Sequence, residues 1–178
     1  PEPSTVRAIV REIDRDDAEN LFRLSLEEVF GAGKKPSVCF PRVRELLDIL
    51  SYARNTGREI QTYLEKYTAL DEESMDKAMM IFSLYEQLKR TYHYLDFDDI
   101  LCLFAEKIHS SPDASRYVKG LYDHILVDEM QDTNPIQWKI LEGMRKPTHL
   151  FCVGDDAQSI YAWRGATRKR REIPSAPL

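Results

Sequence analysis

The stretch that decides the fold is HILVDEMQD, residues 124–132. Its apolar part, from Ile125 to Val127, predicts a strand that is buried on both faces. Asp128 and Glu129 follow at once, so they are expected where that strand leaves its sheet. In open α/β sheets this carboxyl edge is where ligands bind. Two carboxylates there can hold a divalent metal ion and polarise a water molecule, although a plain strand with an acidic turn has the same pattern.

A second apolar run covers residues 149–153 and ends in the acidic sequence GDD at 154–156. Between the two runs, Asn134 and Pro135 predict a helix start, because a capping residue precedes a proline at the first helical position. The order strand, helix, strand predicts two parallel strands joined by a right-handed crossover. Both acidic ends are then expected at the same edge of one sheet.

Upstream of these strands the sequence predicts helices, because apolar residues recur at helical spacing. They are expected from Asp14 or Asp16 to Gly31, from Pro41 to near Gly57, around 60–67, from Asp71 to Leu95, and from Asp96 to Ser110. The Met and aromatic stripe of the longest helix is expected to form core, and a short turn around 117–121 is expected to lead into the strand. The predicted fold class is mostly α with a small parallel β element.

The acidic run DFDD, residues 96–99, opens the last of these helices. Carboxylates in a first helical turn are stabilised by the positive end of the helix dipole. A metal site is the alternative explanation, but successive helical positions point in different directions and cannot all converge on one ion. The dipole explanation is therefore favoured for this run.

The sequence GAGKK at 31–35 superficially resembles a phosphate-binding loop. A P-loop requires a glycine, four residues, Gly-Lys and then a hydroxyl residue. Here position 28 is Glu28, and the residue after Lys34 is Lys35. The segment is therefore interpreted as a turn that ends a helix, and no other P-loop pattern occurs in the chain.

The composition indicates a soluble globular protein: of 178 residues, 43% are hydrophobic and 31% are charged, and the net charge is −5. This charge does not suggest a nucleic-acid surface over the whole chain. Cys39, Cys102 and Cys152 lie in or beside apolar runs and are expected to be reduced, buried thiols of a cytoplasmic protein. No signal peptide or membrane-spanning run is present. Because the sequence begins at Pro1, we expect a piece of a larger protein.

Two segments, VDEMQDTN at 127–134 and GDDAQSIYAWRGA at 154–166, together resemble motifs II and III of the superfamily 1 DNA helicases of the UvrD, Rep and PcrA type. The segment LDFDD at 95–99 is similar to the one that leads back from that family's inserted helical subdomain. The resemblance implies a helical inserted subdomain at 1–95 and a partial RecA-like ATPase domain at 96–166. The basic tail at 167–178 is unlike the family, and is expected to be disordered or divergent.

The resemblance implies a nucleotide site that uses ATP and Mg²⁺. Asp128 would ligate the metal ion, usually through water, and Glu129 would orient or deprotonate the attacking water. Gln131 and Asp132 would belong to the same cofactor-binding motif and link the site to its surroundings. Gln158 would sense the γ-phosphate, and it is implied as both a cofactor-binding and a catalytic residue.

The resemblance also implies contact with single-stranded and duplex DNA, and no membrane partner. Tyr161 and Trp163 would meet the single strand, where stacking of a base on Trp163 contributes about 1–3 kcal/mol. Arg164 would lie near the junction of ATP and DNA, as a catalytic and DNA-binding residue. The basic run at 168–171 would bind phosphate backbone, or would be a solvated tail.

The implied function is part of an ATP-dependent 3′–5′ DNA helicase, which couples ATP hydrolysis to translocation on a single strand and unwinding. The P-loop, the adenine-binding segment and the second motor domain are missing from this chain, so the chain alone is expected not to hydrolyse ATP. One alternative is a non-catalytic DNA- or partner-binding module, and another is part of a helicase-nuclease subunit of the AddA or RecB kind. A third is an unrelated metal-dependent hydrolase that uses Asp128, Glu129 and Asp155.

Overall fold

The structure is a computed structural model that describes residues 10–145 and 148–155. The chain divides into two compact units, Pro1–Leu103 and Phe104–Leu178. The elements are β1 (Arg11–Glu12), α1 (Arg15–Phe30), α2 (Val43–Thr56), α3 (Ile60–Tyr67), α4 (Glu72–Tyr92), β2 (Tyr94–Leu95), α5 (Phe97–Ser110), α6 (Pro112–Lys119), β3 (His124–Val127), α7 (Pro135–Met144) and β4 (His149–Cys152). The fold is mostly α with two small parallel sheets of two strands each, which confirms the predicted fold class.

The predicted caps account for the helix ends of the first unit. Asp14 caps α1 by accepting a hydrogen bond from the N–H of Asp17 at 2.8 Å, and α1 ends at Gly31. The GAGKK segment therefore ends a helix, as its sequence predicts. Asp71 caps α4 in the same way, through the N–H of Ser74 at 2.8 Å. These side chains satisfy backbone donors that a helix leaves unpaired at its start.

The core of the first unit confirms the prediction that the stripe of α4 is packing surface. Phe22 of α1 lies against Tyr85 of α4, with ring centroids 4.3 Å apart, and both side chains are fully buried. Further buried residues come from each of the helices α1 to α4: Leu21, Leu46, Leu50, Leu64, Ala78, Ile81 and Phe82.

The prediction that the longest helix reaches Leu95 is wrong. The helix α4 ends at Tyr92, because His93 adopts the left-handed conformation with φ of 56°. The next two residues form β2, which pairs in parallel with β1, a strand that the sequence does not predict. Hydrogen bonds from Arg11 N–H to His93 O (3.0 Å) and from Ile13 N–H to Leu95 O (2.9 Å) hold this pair.

The second unit contains the predicted strand, helix and strand. The strands β3 and β4 are parallel, and β3 continues into α7, which Asn134 caps through the N–H of Gln137 at 2.9 Å. Trp138 is buried in α7 and donates to Glu142 at 2.7 Å. The predicted turn around 117–121 is wrong in part, because Pro112–Lys119 forms the helix α6.

The prediction that the first strand is buried on both faces is also wrong. Leu126 is 77% exposed and Phe151 is 63% exposed, whereas Ile125 and Val127 are partly buried. Successive strand residues point to opposite faces, and Leu126 and its partner Phe151 share the face that is open to solvent in the described part of the chain. A continuous apolar run cannot distinguish a covered face from an open one.

Two expectations from composition have different outcomes. Cys39 is exposed in the loop before α2, so the expectation that all three cysteines are buried is wrong, while Cys102 and Cys152 are partly buried. Within residues 10–145 and 148–155, no helix combines the length and the apolar character that crossing a membrane requires.

Candidate functional site

The site is built from the turn that follows β3. Asp128 and Glu129 are both exposed, and Asp128 accepts a hydrogen bond from the N–H of Glu129 at 2.9 Å. Glu129 is in the left-handed conformation, with φ of 52° and ψ of 42°. Such a conformation costs a residue other than glycine about 1 kcal/mol or more and is concentrated at functional sites. The chain then makes a single helical turn at Met130–Asp132.

Gln131 joins this turn to the end of β4. Its buried side-chain amide donates to the carboxylate of Glu129, and its oxygen accepts from the N–H of Asp155 at 2.9 Å. The backbone N–H of Met130 also donates to the carbonyl of Val153 at 2.9 Å. The two acidic strand ends therefore meet at one edge of the sheet, as the βαβ pattern predicts. We call Asp128, Glu129, Asp132 and Asp155 the acidic edge.

Gly154 is the point of closest approach within the acidic edge. A Cβ atom added there would lie 3.1 Å from the backbone nitrogen of Met130 and 3.2 Å from that of Gln131, and still closer to the Gln131 side-chain oxygen. The absence of a side chain is therefore what lets the end of β4 lie against the turn after β3.

A cleft of about 440 Å³ opens beside the acidic edge. It is lined by Val127, Asp128, Glu129, Asp132, Thr133, Gln137, Ile140 and Leu141. One oxygen of Asp132 is buried there and has no hydrogen-bond partner within the described residues. A buried carboxylate oxygen without a partner is unfavourable, so this atom is suited to a donor or cation that enters the cleft. The sequence analysis did not single out Thr133 and Gln137, although their position after the acidic run and at the start of α7 is a signal.

The donors at the acidic edge suit Mg²⁺ better than a structural metal. In the part of the chain that the structure describes, no group of three or more His, Cys, Asp or Glu side chains is placed to hold a metal ion. Mg²⁺ keeps several waters and is held by one or two carboxylates together with substrate phosphates. The exposed carboxylate of Asp128 and the unpartnered oxygen of Asp132 fit such an open, oxygen-rich site.

The other predicted site residues lie outside the described residues. These are Gln158, Tyr161, Trp163 and Arg164, with Asp156 and the basic tail. Their predicted roles in sensing phosphate and binding DNA therefore remain predictions, and the structure places only the first part of the second motif, Gly154 and Asp155.

The other acidic run, residues 96–99, forms a buried charge cluster in the first unit. Lys89, 2% exposed, lies 2.6 Å from a carboxylate oxygen of Asp96 and 2.6 Å from one of Asp99. Arg54 pairs with Asp96 at 3.0 Å and with Asp99 at 3.3 Å, and it also contacts Glu86. Asp96 and Asp99 accept from each other's backbone N–H groups at 2.9 and 3.0 Å, which caps α5. These five residues are the charge cluster.

The combined effect of burial and neighbouring charges lowers the pKa of Asp96 and raises those of Tyr85 and Arg54, which keeps Asp96 charged, Tyr85 neutral and Arg54 charged. Burial would raise the pKa of Asp96, but the charges of Arg54 and Lys89 more than offset this and hold it well below its usual range. Burial raises the pKa of Tyr85, and the neighbouring Asp96 raises it further, so its hydroxyl stays protonated and donates to Asp96 at 2.9 Å. Burial alone would lower the pKa of Arg54, but the charges of Asp96, Glu86 and Asp99 raise it above its usual value.

The chain is similar to known DNA helicases over most of its length. The model of the UvrD/REP helicase N-terminal domain matches residues 5–171. The ATP-dependent DNA helicase PcrA of Leuconostoc citreum is 33% identical over 125 residues, which is 69% of this chain and 16% of that protein. The ATP-dependent DNA helicase UvrD1 of Mycobacterium tuberculosis is 35% identical over 129 residues, or 66% of this chain and 17% of that protein.

A third relative, the DNA helicase II of Rickettsia typhi, is 38% identical over 92 residues, which is 50% of this chain and 14% of that protein. The chain thus spans 14% to 17% of the length of these three relatives. The family match confirms the resemblance to UvrD-type helicases that the segments at 127–134 and 154–166 indicate.

Proposed function

The chain belongs to the UvrD/REP helicase N-terminal domain family, and we propose that it is part of an ATP-dependent DNA helicase. The observation that carries this proposal is the hydrogen bonding of Gln131, which joins Glu129 to the backbone of Asp155. These two hydrogen bonds hold the ends of β3 and β4 together at the acidic edge, beside the cleft. The related proteins named above are DNA helicases, two of them described as ATP-dependent.

In the proposed reaction Asp128 and Glu129 of the acidic edge have different roles. Asp128, at the strand end, would hold the Mg²⁺ of MgATP, and Asp132, which has one buried oxygen without a partner among the described residues, lines the same cleft. Bound Mg²⁺ supplies charge neutralisation for the phosphate oxygens. Glu129 orients the attacking water and accepts its proton. Gln131 fixes the Glu129 carboxylate by a hydrogen bond, so that its orientation is set before substrate binds.

We further propose that Gln131 couples the nucleotide site to DNA. Its hydrogen bond to Asp155 reaches the backbone three residues before Gln158, the proposed γ-phosphate sensor. The chain then continues to Tyr161, Trp163 and Arg164, which we propose contact single-stranded DNA. A change at the γ-phosphate is thereby transmitted through a few residues to the bound strand, along which helicases of the family that the motifs resemble move 3′ to 5′.

The proposed domain division is a helical inserted subdomain at 1–95, a partial RecA-like ATPase domain at 96–166 and a separate tail at 167–178. The chain contains no P-loop, whose backbone N–H groups and lysine bind most of a triphosphate. We therefore propose that the 178-residue chain alone hydrolyses no ATP, and that the helicase activity belongs to a longer protein that includes it.

The test uses such a longer protein and replaces Glu129 by Gln. DNA-stimulated ATP hydrolysis should fall by about 10²-fold or more, the range in which general-base catalysis contributes, while ATP still binds. The matched control is Glu106→Gln, an exposed carboxylate of α5, which should leave hydrolysis unchanged. Full activity in Glu129→Gln would overturn the catalytic assignment and favour a non-catalytic binding module.

A second experiment tests the proposal for the isolated chain. The pure 178-residue chain should show no ATP hydrolysis with or without single-stranded DNA, because it lacks the phosphate-binding loop. Hydrolysis that is stimulated by DNA and abolished by Glu129→Gln would refute this, since it would mean that the acidic edge acts without a P-loop.

A further inference from the structure

His124 and His149 form a pair at the end of the β3–β4 sheet opposite the acidic edge. They are directly opposite each other in the parallel register, and both are exposed. Their imidazole rings are stacked, with centroids 5.2 Å apart and ring planes 25° from parallel. The backbone N–H of His149 donates to the carbonyl of Asp123 at 2.9 Å, so the ladder itself holds the two residues side by side.

We propose that these two histidines bind a divalent transition-metal ion of the nickel, copper and zinc class. Imidazole nitrogen is a preferred ligand for these metals, whereas Mg²⁺ prefers oxygen. Two nitrogens that each lie about 2.0–2.1 Å from one ion must come within roughly 3–4 Å of each other. Rings with centroids 5.2 Å apart reach this separation by side-chain rotation alone, which the exposure of both residues allows.

The site supplies two protein ligands and leaves the remaining positions to water. This agrees with the finding that no cluster of three or more metal-ligating side chains is present among the described residues. Because the strand pairing fixes both backbones, the second imidazole is held at a high effective concentration once the first has bound the ion. The pair therefore binds far more tightly than one surface histidine.

A metal ion at this pair would connect β3 to β4 at their first residues. The same strands carry Asp128 and Asp155 at their other ends. Asp128 lies four positions after His124, or about 13 Å along the strand at about 3.3 Å per residue, so the histidine pair and the acidic edge are separate sites. The metal would stabilise the pairing of the strands on which the acidic edge is built, and this inference does not depend on ATP hydrolysis.

The test is calorimetric titration of NiCl₂ into the full 178-residue chain, in buffer that contains excess Mg²⁺. One Ni²⁺ should bind per chain. His124→Gln and His149→Gln should each weaken Ni²⁺ binding by about tenfold or more. The double variant should bind Ni²⁺ only slightly more weakly than either single variant, because each single replacement already prevents both imidazoles from binding one ion. The midpoint of thermal unfolding should rise with Ni²⁺ in the wild-type chain and not in the variants.

Three controls distinguish this site from others. His93→Asn should bind Ni²⁺ like the wild-type chain, since Asn also tolerates the left-handed conformation of position 93. Cys152→Ser, in β4, should do the same, and circular dichroism should show every variant folded. Unchanged affinity in the folded His124 and His149 variants, competition by Mg²⁺, or loss of binding in Cys152→Ser would overturn the proposal.

Discussion

Residues 96–99 and residues 128–132 are both acidic runs at the start of a turn or helix, yet their surroundings are opposite. Asp96 and Asp99 lie against the buried ammonium group of Lys89, and Arg54 pairs with both. Asp128 is exposed, and within the described part of the chain no Lys, Arg or His forms an ion pair with it. The protein neutralises the first run, whereas the second run forms no ion pair within residues 10–145 and 148–155.

This contrast indicates which carboxylates are available to a ligand. A carboxylate that is paired with buried cations has already exchanged its water for protein partners, and removing one partner leaves an uncompensated charge. Carboxylates that lack protein cations repel one another and keep their affinity for an external cation. The charge cluster is therefore a structural feature, whereas the acidic edge has the electrostatics of a binding site.

The largest expected effect is that of Lys89→Met. It removes a buried cation from Asp96 and Asp99 and should lower the free energy of unfolding by about 3–5 kcal/mol, measured by urea titration. The matched control is Lys77→Met in the same helix, whose pair with the exposed Glu73 should contribute less than about 1 kcal/mol. Equal effects of the two variants would mean that the charge cluster does not hold the first unit together.

Gly154→Ala should have the next largest effect and acts on the acidic edge. The added Cβ would press on the backbone of Met130 and the side chain of Gln131, which should lower the free energy of unfolding by about 1–3 kcal/mol. The control Gly120→Ala meets only ordinary contacts at 3.4 Å and 3.5 Å and should be near neutral or slightly stabilising. Urea titration distinguishes them, and a neutral Gly154→Ala would contradict the close approach.

The charge cluster should also make stability depend on pH. Arg54 and Lys89 hold the folded pKa of Asp96 below its unfolded value of about 4, despite its burial. A lowered folded pKa contributes stability above pH 4 that is lost as the pH falls toward the folded pKa. Between pH 4 and pH 2.5, unfolding titrations should show a steeper loss for the wild-type chain than for Asp96→Asn.

The difference in slope should approach about 1.4 kcal/mol per pH unit at most, the value for one proton. Asp113→Asn is the control, because its carboxylate is exposed and, among the described residues, forms its ion pair with the exposed Arg116. Its slope should match that of the wild-type chain. Identical slopes for the wild-type chain and Asp96→Asn would mean that Asp96 gains no net charge stabilisation on folding.

The smallest expected effect is that of Asp128→Asn on stability. The residue is exposed and lacks an ion-pair partner among the described residues, so the free energy of unfolding should change by less than about 0.5 kcal/mol. Asp99→Asn, the matched variant in the charge cluster, should cost more than about 1 kcal/mol. If both substitutions are equally destabilising, the two acidic runs do not differ in how strongly the protein binds their carboxylates.

Features that depend on neighbours within a few residues could be predicted from the sequence. The cap of α1 at Asp14, the start of α7 at Asn134 and Pro135, and the parallel strand pair all followed from local pattern. The meeting of the two acidic strand ends also followed, because parallel strands joined by a crossover place their carboxyl ends at the same edge. The prediction of the nucleotide-site carboxylates rested on this and on the motif resemblance.

Contacts between residues that are distant in sequence could not be predicted, because they depend on how the folded elements pack. Arg54 lies 42 positions before Asp96, and the sequence around each residue does not predict that they pair. The burial of Lys89, the exposure of Leu126 and the stacking of His124 on His149 likewise depend on how helices and strands pack. Local propensity acts through bonds between near neighbours, whereas burial and charge pairing are set by elements that are brought together only when the chain folds.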